Sequence, residues 1–209
     1  MKSDNYIICI GRQLGSGGRE VAKKISERLN IAYYDKEIIS EASLHSGLNK
    51  SCFENVDEKP SSFLNCFGME YGFPFYPISG AMENSCLSRD NLFQIQCDTI
   101  TMLSQKGSAV FVGRAADYIL RDHPRMLSVF LTANISDRIE RVSKLAQVDH
   151  AKAKQMISEC DKKRSEFYNY YTFREWGNAA GYDMCLNTSV LSINQVVEDI
   201  IKVVVEKFF

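Results

Sequence analysis

The sequence predicts an α/β protein of three layers, in which a five-stranded parallel sheet carries helices on both faces. Three observations predict this class. Five short apolar segments have the composition of strands, helical segments separate them, and the strands are continuously apolar, which is typical of burial on both faces. The chain of 209 residues has the length of a single domain.

The predicted elements alternate along the chain. The strands share a β-branched or aromatic composition and are expected at residues 6–10, 31–34, 109–112, 126–131 and 182–187. Helices are expected after Gly18, after Gly113-Arg114 up to about residue 120, and from Ser192 onward. Further helices are expected at residues 36–45, 92–105, 137–146 and 151–168, and Gly107 ends the second of these. Ser192 and Gln195 form a capping box for the last of these helices.

Residues 48–90 interrupt this alternation. Three of the four prolines lie there among many aromatic residues, so the segment is predicted to be an irregular insertion. Its aromatic side chains are expected to pack against the core, a ligand or a partner subunit, the last of which would give a homodimer.

Charge and cysteine content exclude several classes of protein. The 25 basic and 26 acidic residues give a net charge of −1, which is not typical of proteins that bind polymeric nucleic acid or acidic membranes. No apolar run is long enough to span a membrane. The seven cysteines are odd in number and show no CxxC spacing, so we expect reduced thiols, a cytoplasmic location and no metal site built from the chain's own residues.

The loop after the first strand indicates phosphate binding. A strand, a glycine-rich turn and a helix N-terminus together present backbone N–H groups and a partial positive charge to an anion. The candidate phosphate-binding residues are Arg12, Gly15, Ser16, Gly17, Gly18, Arg19 and Glu20. The alternative is a tight connection that uses glycine for packing alone.

This loop departs from the Walker A pattern, GxxxxGK[ST]. If Gly17 is the second glycine, Gly18 stands at the lysine position and Arg19 at the hydroxyl position. If Gly18 is the second glycine, these positions hold Arg19 and Glu20. The ammonium group and the magnesium-binding hydroxyl are absent in both alignments, and Arg12 and Arg19 are the cations close by.

Four segments carry a resemblance to a known family: IICIGRQLGSGGREVAKKISERLNIAYYDKEII, SAVFVGRAADYIL, VFLTANISDRIERV and DKKRSEFYNYYTFREWGNAAGYDMCLNTSVLSINQVV. In order and in context they resemble the cytidylate kinase-like family, a divergent branch of the P-loop nucleoside monophosphate kinases. The resemblance covers most of the chain except residues 48–90.

The resemblance implies transfer of a phosphoryl group from ATP, with Mg²⁺ bound to the ATP, to a nucleoside monophosphate. It implies a helical lid at about residues 137–178 and places the insertion at residues 48–90 on the acceptor side. It implies that the catalytic cations are Arg19 and the lid residues Arg138, Arg141 and Arg164, with Lys162 also in the lid. It also implies acceptor binding by Asp35, Arg114 and Asp117. Cytidylate kinases usually carry Asp directly after Gly-Arg; here that residue is Ala115, and Asp117 is the nearest acid.

Other interpretations stay open. Arg114 could cap a helix or pair with Asp117 or Asp122, Asp35 could cap the helix that follows it, and the charged run from Asp161 could be a solvated helix face. Trp176 is interpreted as a packing anchor for its loop, with stacking on a base as the alternative. The alternative functions are a kinase for another small acceptor and a non-catalytic protein that binds or senses a nucleotide.

Overall fold

The computed structural model describes residues 5–35 and 89–209. The strands in chain order are β1 (Ile7–Arg12), β2 (Ala32–Tyr34), β3 (Ala109–Val112), β4 (Met126–Thr132) and β5 (Met184–Asn187). The described helices are α1 (Gly18–Leu29), α2 (Arg89–Lys106), α3 (Ala116–Ile119), α4 (Ile135–Ala146), α5 (His150–Thr172) and α6 (Ile193–Phe208), with a 3-10 turn at Ala179–Gly181.

The five strands form one parallel sheet in the order β2-β3-β1-β4-β5. β1 is the central strand and pairs with β3 on one side and with β4 on the other. The chain crosses over β1 between β3 and β4, so the carboxyl end of β1 lies at the topological switch point, where α/β sheets bind ligands. The α/β fold with a five-stranded parallel sheet is thereby confirmed.

The core is built from both faces of the sheet. On one face, α1 and α6 pack against alternate strand residues such as Ile8, Ile10 and Val129, all fully buried. On the other face, the ring centroid of Phe130 lies 5.2 Å from that of Trp176 and 5.0 Å from that of Tyr182. Trp176 therefore packs its loop against the sheet, as its packing interpretation predicts.

The element bounds differ from the predicted ones where contacts between distant residues decide them. β1 continues two residues beyond its predicted end because its ladder with β4 continues to the pair Arg12 and Leu131. α5 begins earlier because the carboxylate of Asp149 accepts a hydrogen bond from the N–H of Lys152 at 2.7 Å. β5 begins at Met184, two residues after its predicted start.

The chain divides into two compact units, one of Met1–Tyr34 with Ser104–Phe209 and one of Asp35–Leu103. The helix predicted at residues 36–45 lies outside the described residues. The insertion predicted at residues 48–90 also lies outside them, except for its last two residues. The homodimer contact and the ligand contact predicted for the insertion therefore stay predictions. In the described part of the chain, no helix combines the length and the apolar character needed to cross a lipid bilayer.

Candidate phosphate-binding site

The loop between β1 and α1 lies at the carboxyl edge of the sheet. Gly15 and Gly17 have φ angles of +79° and +78°, a left-handed conformation that is costly for residues with a side chain. Gly17 is also the N-cap residue directly before α1, and its carbonyl accepts from the N–H of Val21 at 3.0 Å. Glycine at both positions therefore lets the chain turn from the end of β1 into α1 within five residues.

Side chains from three other segments hold the carbonyl groups of this loop. The bonds share one pattern, in which a side chain donates to a loop carbonyl: Arg164 to Arg12 (2.9 Å), Nε of Arg138 to Leu14 (2.7 Å), Arg141 to Gly15, and Oγ1 of Thr188 to Ser16 (2.8 Å). In a trans peptide the C=O and the following N–H point in opposite directions. Because Arg138 holds the carbonyl of Leu14 and Thr188 holds that of Ser16, the N–H groups of Gly15 and Gly17 point away from these two side chains.

The N–H groups of the loop differ in what they bind. The N–H of Leu14 donates to the carboxylate of Asp161 at 2.8 Å, and the N–H of Ser16 donates to the carbonyl of Gln13 at 3.3 Å. Within residues 5–35 and 89–209, no acceptor hydrogen-bonds to the N–H of Gly15, Gly17 or Gly18. Among the residues that the structure describes, two loop amides and the first N–H of α1 therefore have no acceptor, and they lie at the positive end of the helix dipole, which favours an anion.

Asp161 connects the loop to two cations. Its carboxylate forms an ion pair with Arg138 and lies 3.8 Å from Arg164. The side chains of Arg138, Asp161 and Arg164 are 7%, 17% and 15% exposed. An anion this far removed from water requires partners of opposite charge, and here it receives them together with the N–H of Leu14.

The predicted lid arginines occupy positions that the sequence did not indicate. We expected Arg138, Arg141 and Arg164 to reach over a transferring group. In this structure all three donate to carbonyls of the loop, and Arg138 is a buried residue. Lys162 instead points to the helix surface, where it lies 3.9 Å from Glu166 and is 75% exposed.

The first turn of α1 holds the last two predicted loop residues. Glu20 is exposed, and its carboxylate lies 3.0 Å from the ammonium of Lys24 one helical turn later. Arg19 is half-buried in the same turn. Glu20 thus stabilises the helix that presents the loop, as an i,i+4 pair.

The carboxyl end of β3 has an unusual backbone. Gly113, Arg114 and Ala115 all have left-handed φ angles, of 70°, 62° and 53°. A non-glycine residue in this conformation costs about 1–2 kcal/mol, and such strain concentrates at functional sites. The turn places Arg114 one strand away from the glycine-rich loop, because β3 pairs with β1.

Asp117 follows this turn and is buried. Its carboxylate accepts a hydrogen bond from the hydroxyl of Tyr168 at 2.7 Å. Burial raises the pKa of Asp117, while the Tyr168 hydrogen bond and the nearby Arg174 act in the opposite direction. Asp117 therefore connects α3 to α5 in this structure.

Replacing Asp117 by asparagine tests this shifted pKa. Because the pKa is raised in the folded state, the associated stability is complete below the unfolded value of 3.8 and is lost as the pH rises through the folded value. The amide side chain keeps an acceptor for Tyr168 but does not titrate. We expect the melting temperature of Asp117→Asn, relative to that of the wild type, to increase as the pH rises above 3.8. A difference in melting temperature that does not vary with pH would contradict the shift.

Asp35, the remaining acceptor candidate, directly follows β2 and is 4% exposed. It belongs to the second compact unit. Its role in acceptor binding stays a prediction.

Sequence reasoning did not predict the contacts that several residues make with this loop. Thr188 and Asp161 bind the loop directly, and the hydroxyl of Thr132 donates to the side-chain carbonyl of Gln13. Thr132 and Thr188 lie at the carboxyl ends of strands, where the sequence indicates a ligand site, but their contacts with the loop were not predicted. Asp161 carries no such signal, because it lies 147 residues from the loop and within a run of charged residues.

The described residues do not form a magnesium site of their own at the loop. The hydroxyl position of the Walker pattern holds Arg19 or Glu20. Among residues 5–35 and 89–209, no three His, Cys, Asp or Glu side chains come together as metal ligands.

Comparison with known proteins relates this chain to one family and to several solved structures. The sequence matches the model of the cytidylate kinase-like family over residues 7–190. No curated protein matches the chain. The structure of an uncharacterized protein from Eubacterium ventriosum ATCC 27560 is 27% identical with a TM-score of 0.70, and the match covers 96% of this chain and 98% of that chain.

More distant structures share the fold. A shikimate kinase from Bacteroides thetaiotaomicron is 12% identical with a TM-score of 0.52, and the match covers 95% of this chain and 97% of that chain. A gluconokinase from Sinorhizobium meliloti 1021 is 15% identical with a TM-score of 0.50, covering 99% of this chain and 94% of that chain. At these identities the likeness concerns the fold alone.

Proposed function

Because this chain belongs to the cytidylate kinase-like family, we propose that it transfers a phosphoryl group from ATP to a nucleoside monophosphate in the cytoplasm. Phosphoryl transfer requires positioning and neutralisation of charge rather than a nucleophilic side chain. The glycine-rich loop, together with Arg114 at the carboxyl end of the neighbouring strand β3, meets that requirement.

The observation that carries the proposal is the orientation of the loop. Arg138 holds the carbonyl of Leu14 and Thr188 holds that of Ser16, so the N–H groups of Gly15 and Gly17, which follow these carbonyls, point away from the two side chains. Backbone amides at a helix N-terminus are suited to the phosphates of ATP. In this proposal the loop binds the donor, and the magnesium ion enters bound to the ATP.

The acceptor is proposed to bind at the carboxyl end of β3. Arg114 lies there in a strained backbone turn next to the strand that leads into the loop. A guanidinium can bind a phosphate group through two parallel N–H donors. Arg114 is therefore assigned to the acceptor phosphate, with Asp35 and Asp117 as further acceptor-side residues.

One observation favours the alternative of a non-catalytic nucleotide-binding protein. Three of the four cations assigned to catalysis already donate to loop carbonyls, and Asp161 occupies the N–H of Leu14. Arginines that hold the loop serve a protein that only binds a nucleotide as well as they serve one that transfers its phosphoryl group. A kinase for another small acceptor is the second alternative, since one fold serves several acceptors.

ATP binding and acceptor-dependent turnover test the proposal in sequence. A ligand at a hundredfold excess over its dissociation constant stabilises a protein by about 2.7 kcal/mol, which raises the melting temperature by several degrees. We expect such a shift with millimolar ATP and Mg²⁺, and ADP release in a coupled assay with CMP, dCMP, UMP, AMP or GMP. A shift without turnover would support the non-catalytic alternative or another acceptor, and the absence of any shift would contradict nucleotide binding.

A further inference from the structure

The space beside Gly18 is filled by another residue of the site. A Cβ atom at Gly18 would lie 2.6 Å from Cβ and 2.8 Å from Cγ of Arg12. These separations are far shorter than carbon atoms allow, and they involve the fixed base of the Arg12 side chain. Gly18 stands at the lysine position of the Walker pattern in one alignment, so the arginine stem now lies where a lysine stem would begin.

The guanidinium of Arg12 extends from there to the end of β3. A Cβ atom at Gly113 would lie 1.7 Å from Nη1 and 2.9 Å from Cζ of Arg12. The guanidinium therefore lies directly against the backbone of Gly113, the residue before Arg114. The path of one side chain thus explains why both positions carry glycine.

The base of Arg12 is held in place. The residue pairs with Leu131 at the end of the β1 and β4 ladder, and its carbonyl accepts from Arg164 at 2.9 Å. Because the backbone is fixed at the strand end, little backbone freedom remains to be lost when the side chain binds a ligand. The positive charge of the Arg12 guanidinium therefore lies between the glycine-rich loop, which is proposed to bind the donor, and the strained turn after β3, which is proposed to bind the acceptor.

We propose that Arg12 supplies the cation that a lysine supplies in the Walker loop, and that its guanidinium binds the terminal phosphate of ATP. This inference rests on the proposed function. The position of the guanidinium beside Gly113 assigns it to the phosphate nearest the acceptor rather than to the phosphates nearer the adenosine. Its planar pair of donors suits a phosphate with two accessible oxygens.

Titration calorimetry with ATP and with ADP, each with Mg²⁺, tests the inference. A hydrogen bond from a charged group corresponds to about a ten- to hundredfold change in affinity. We expect Arg12→Met to lower ATP affinity by this factor while ADP affinity stays within about threefold of the wild type. The control is Arg28→Met, which should leave both affinities unchanged, because Arg28 pairs with Glu198 about 15 Å along α1 from Gly18.

The outcomes separate this inference from the proposed function. A wild-type protein that binds neither nucleotide contradicts the proposed function itself. A wild type that binds both, with an Arg12→Met variant unchanged or weakened equally toward both, overturns the role of Arg12 alone. If the melting curve shows that Arg12→Met does not fold, Arg12→Lys replaces it. Its single point charge should weaken ATP binding about three- to tenfold with ADP binding unchanged, and unchanged ATP affinity would overturn the inference.

Discussion

Replacing Asp161 by alanine is expected to lower the free energy of unfolding by about 3–5 kcal/mol. The substitution leaves the buried guanidinium of Arg138 without its carboxylate, and it removes the acceptor for the N–H of Leu14. A buried charge that loses its partner costs more than the pair contributes, because water cannot replace the lost interaction. Urea unfolding followed by circular dichroism measures the change.

The matched control for Asp161→Ala is Glu166→Ala on the same helix. Glu166 is exposed and lies 3.9 Å from Lys162, so its removal is expected to cost about 0.5 kcal/mol or less. Equal unfolding free energies for the two variants would show that the Asp161 cluster does not stabilise the fold.

Replacing Gly15 by alanine is expected to cost about 2–4 kcal/mol. The residue has a φ of +79°, and a Cβ there would lie 2.9 Å from the carbonyl oxygen and 3.1 Å from Cα of Arg138. These are backbone atoms of α4, so the collision is relieved only by moving the helix or the loop. Thermal unfolding of the variant should show a correspondingly lower melting temperature.

Gly107→Ala is the control for this substitution. Nothing lies within 4 Å of a Cβ at Gly107, and its φ is not positive. Alanine there is expected to be neutral or to stabilise the protein by about 0.4–1 kcal/mol, because it restricts the unfolded chain. A Gly15→Ala protein as stable as Gly107→Ala would mean that the loop tolerates movement relative to α4.

Local patterns in the sequence were sufficient for the elements of the sheet but not for their order. The strand at 109–112 was predicted with its observed bounds, because four consecutive apolar residues end at a glycine. The position of β3 between β2 and β1 depends on contacts between residues far apart in the chain, which no local pattern contains. The end of β1 at Arg12 was missed for the same reason, since its pairing partner is Leu131.

The candidate site divides in the same way. The glycines of the loop were identified because a strand, a turn and a helix follow one another directly in the sequence. The role of Asp161 was not identified, because a charged run such as Asp161 to Arg164 usually faces solvent. Only the folded chain shows that one acid of this run turns inward to Leu14 and Arg138 while Lys162 stays exposed.

The arginine and aspartate contacts from α4 and α5 mean that the shape of the loop is not encoded by the loop alone. In this chain the carbonyls of Arg12, Leu14 and Gly15 are fixed by residues more than a hundred positions away. An engineer who transplants a lysine-containing loop from another kinase would therefore leave Arg138, Arg141 and Asp161 facing a backbone that they do not fit. A working chimera requires the loop and the inner faces of both helices to be exchanged as one module.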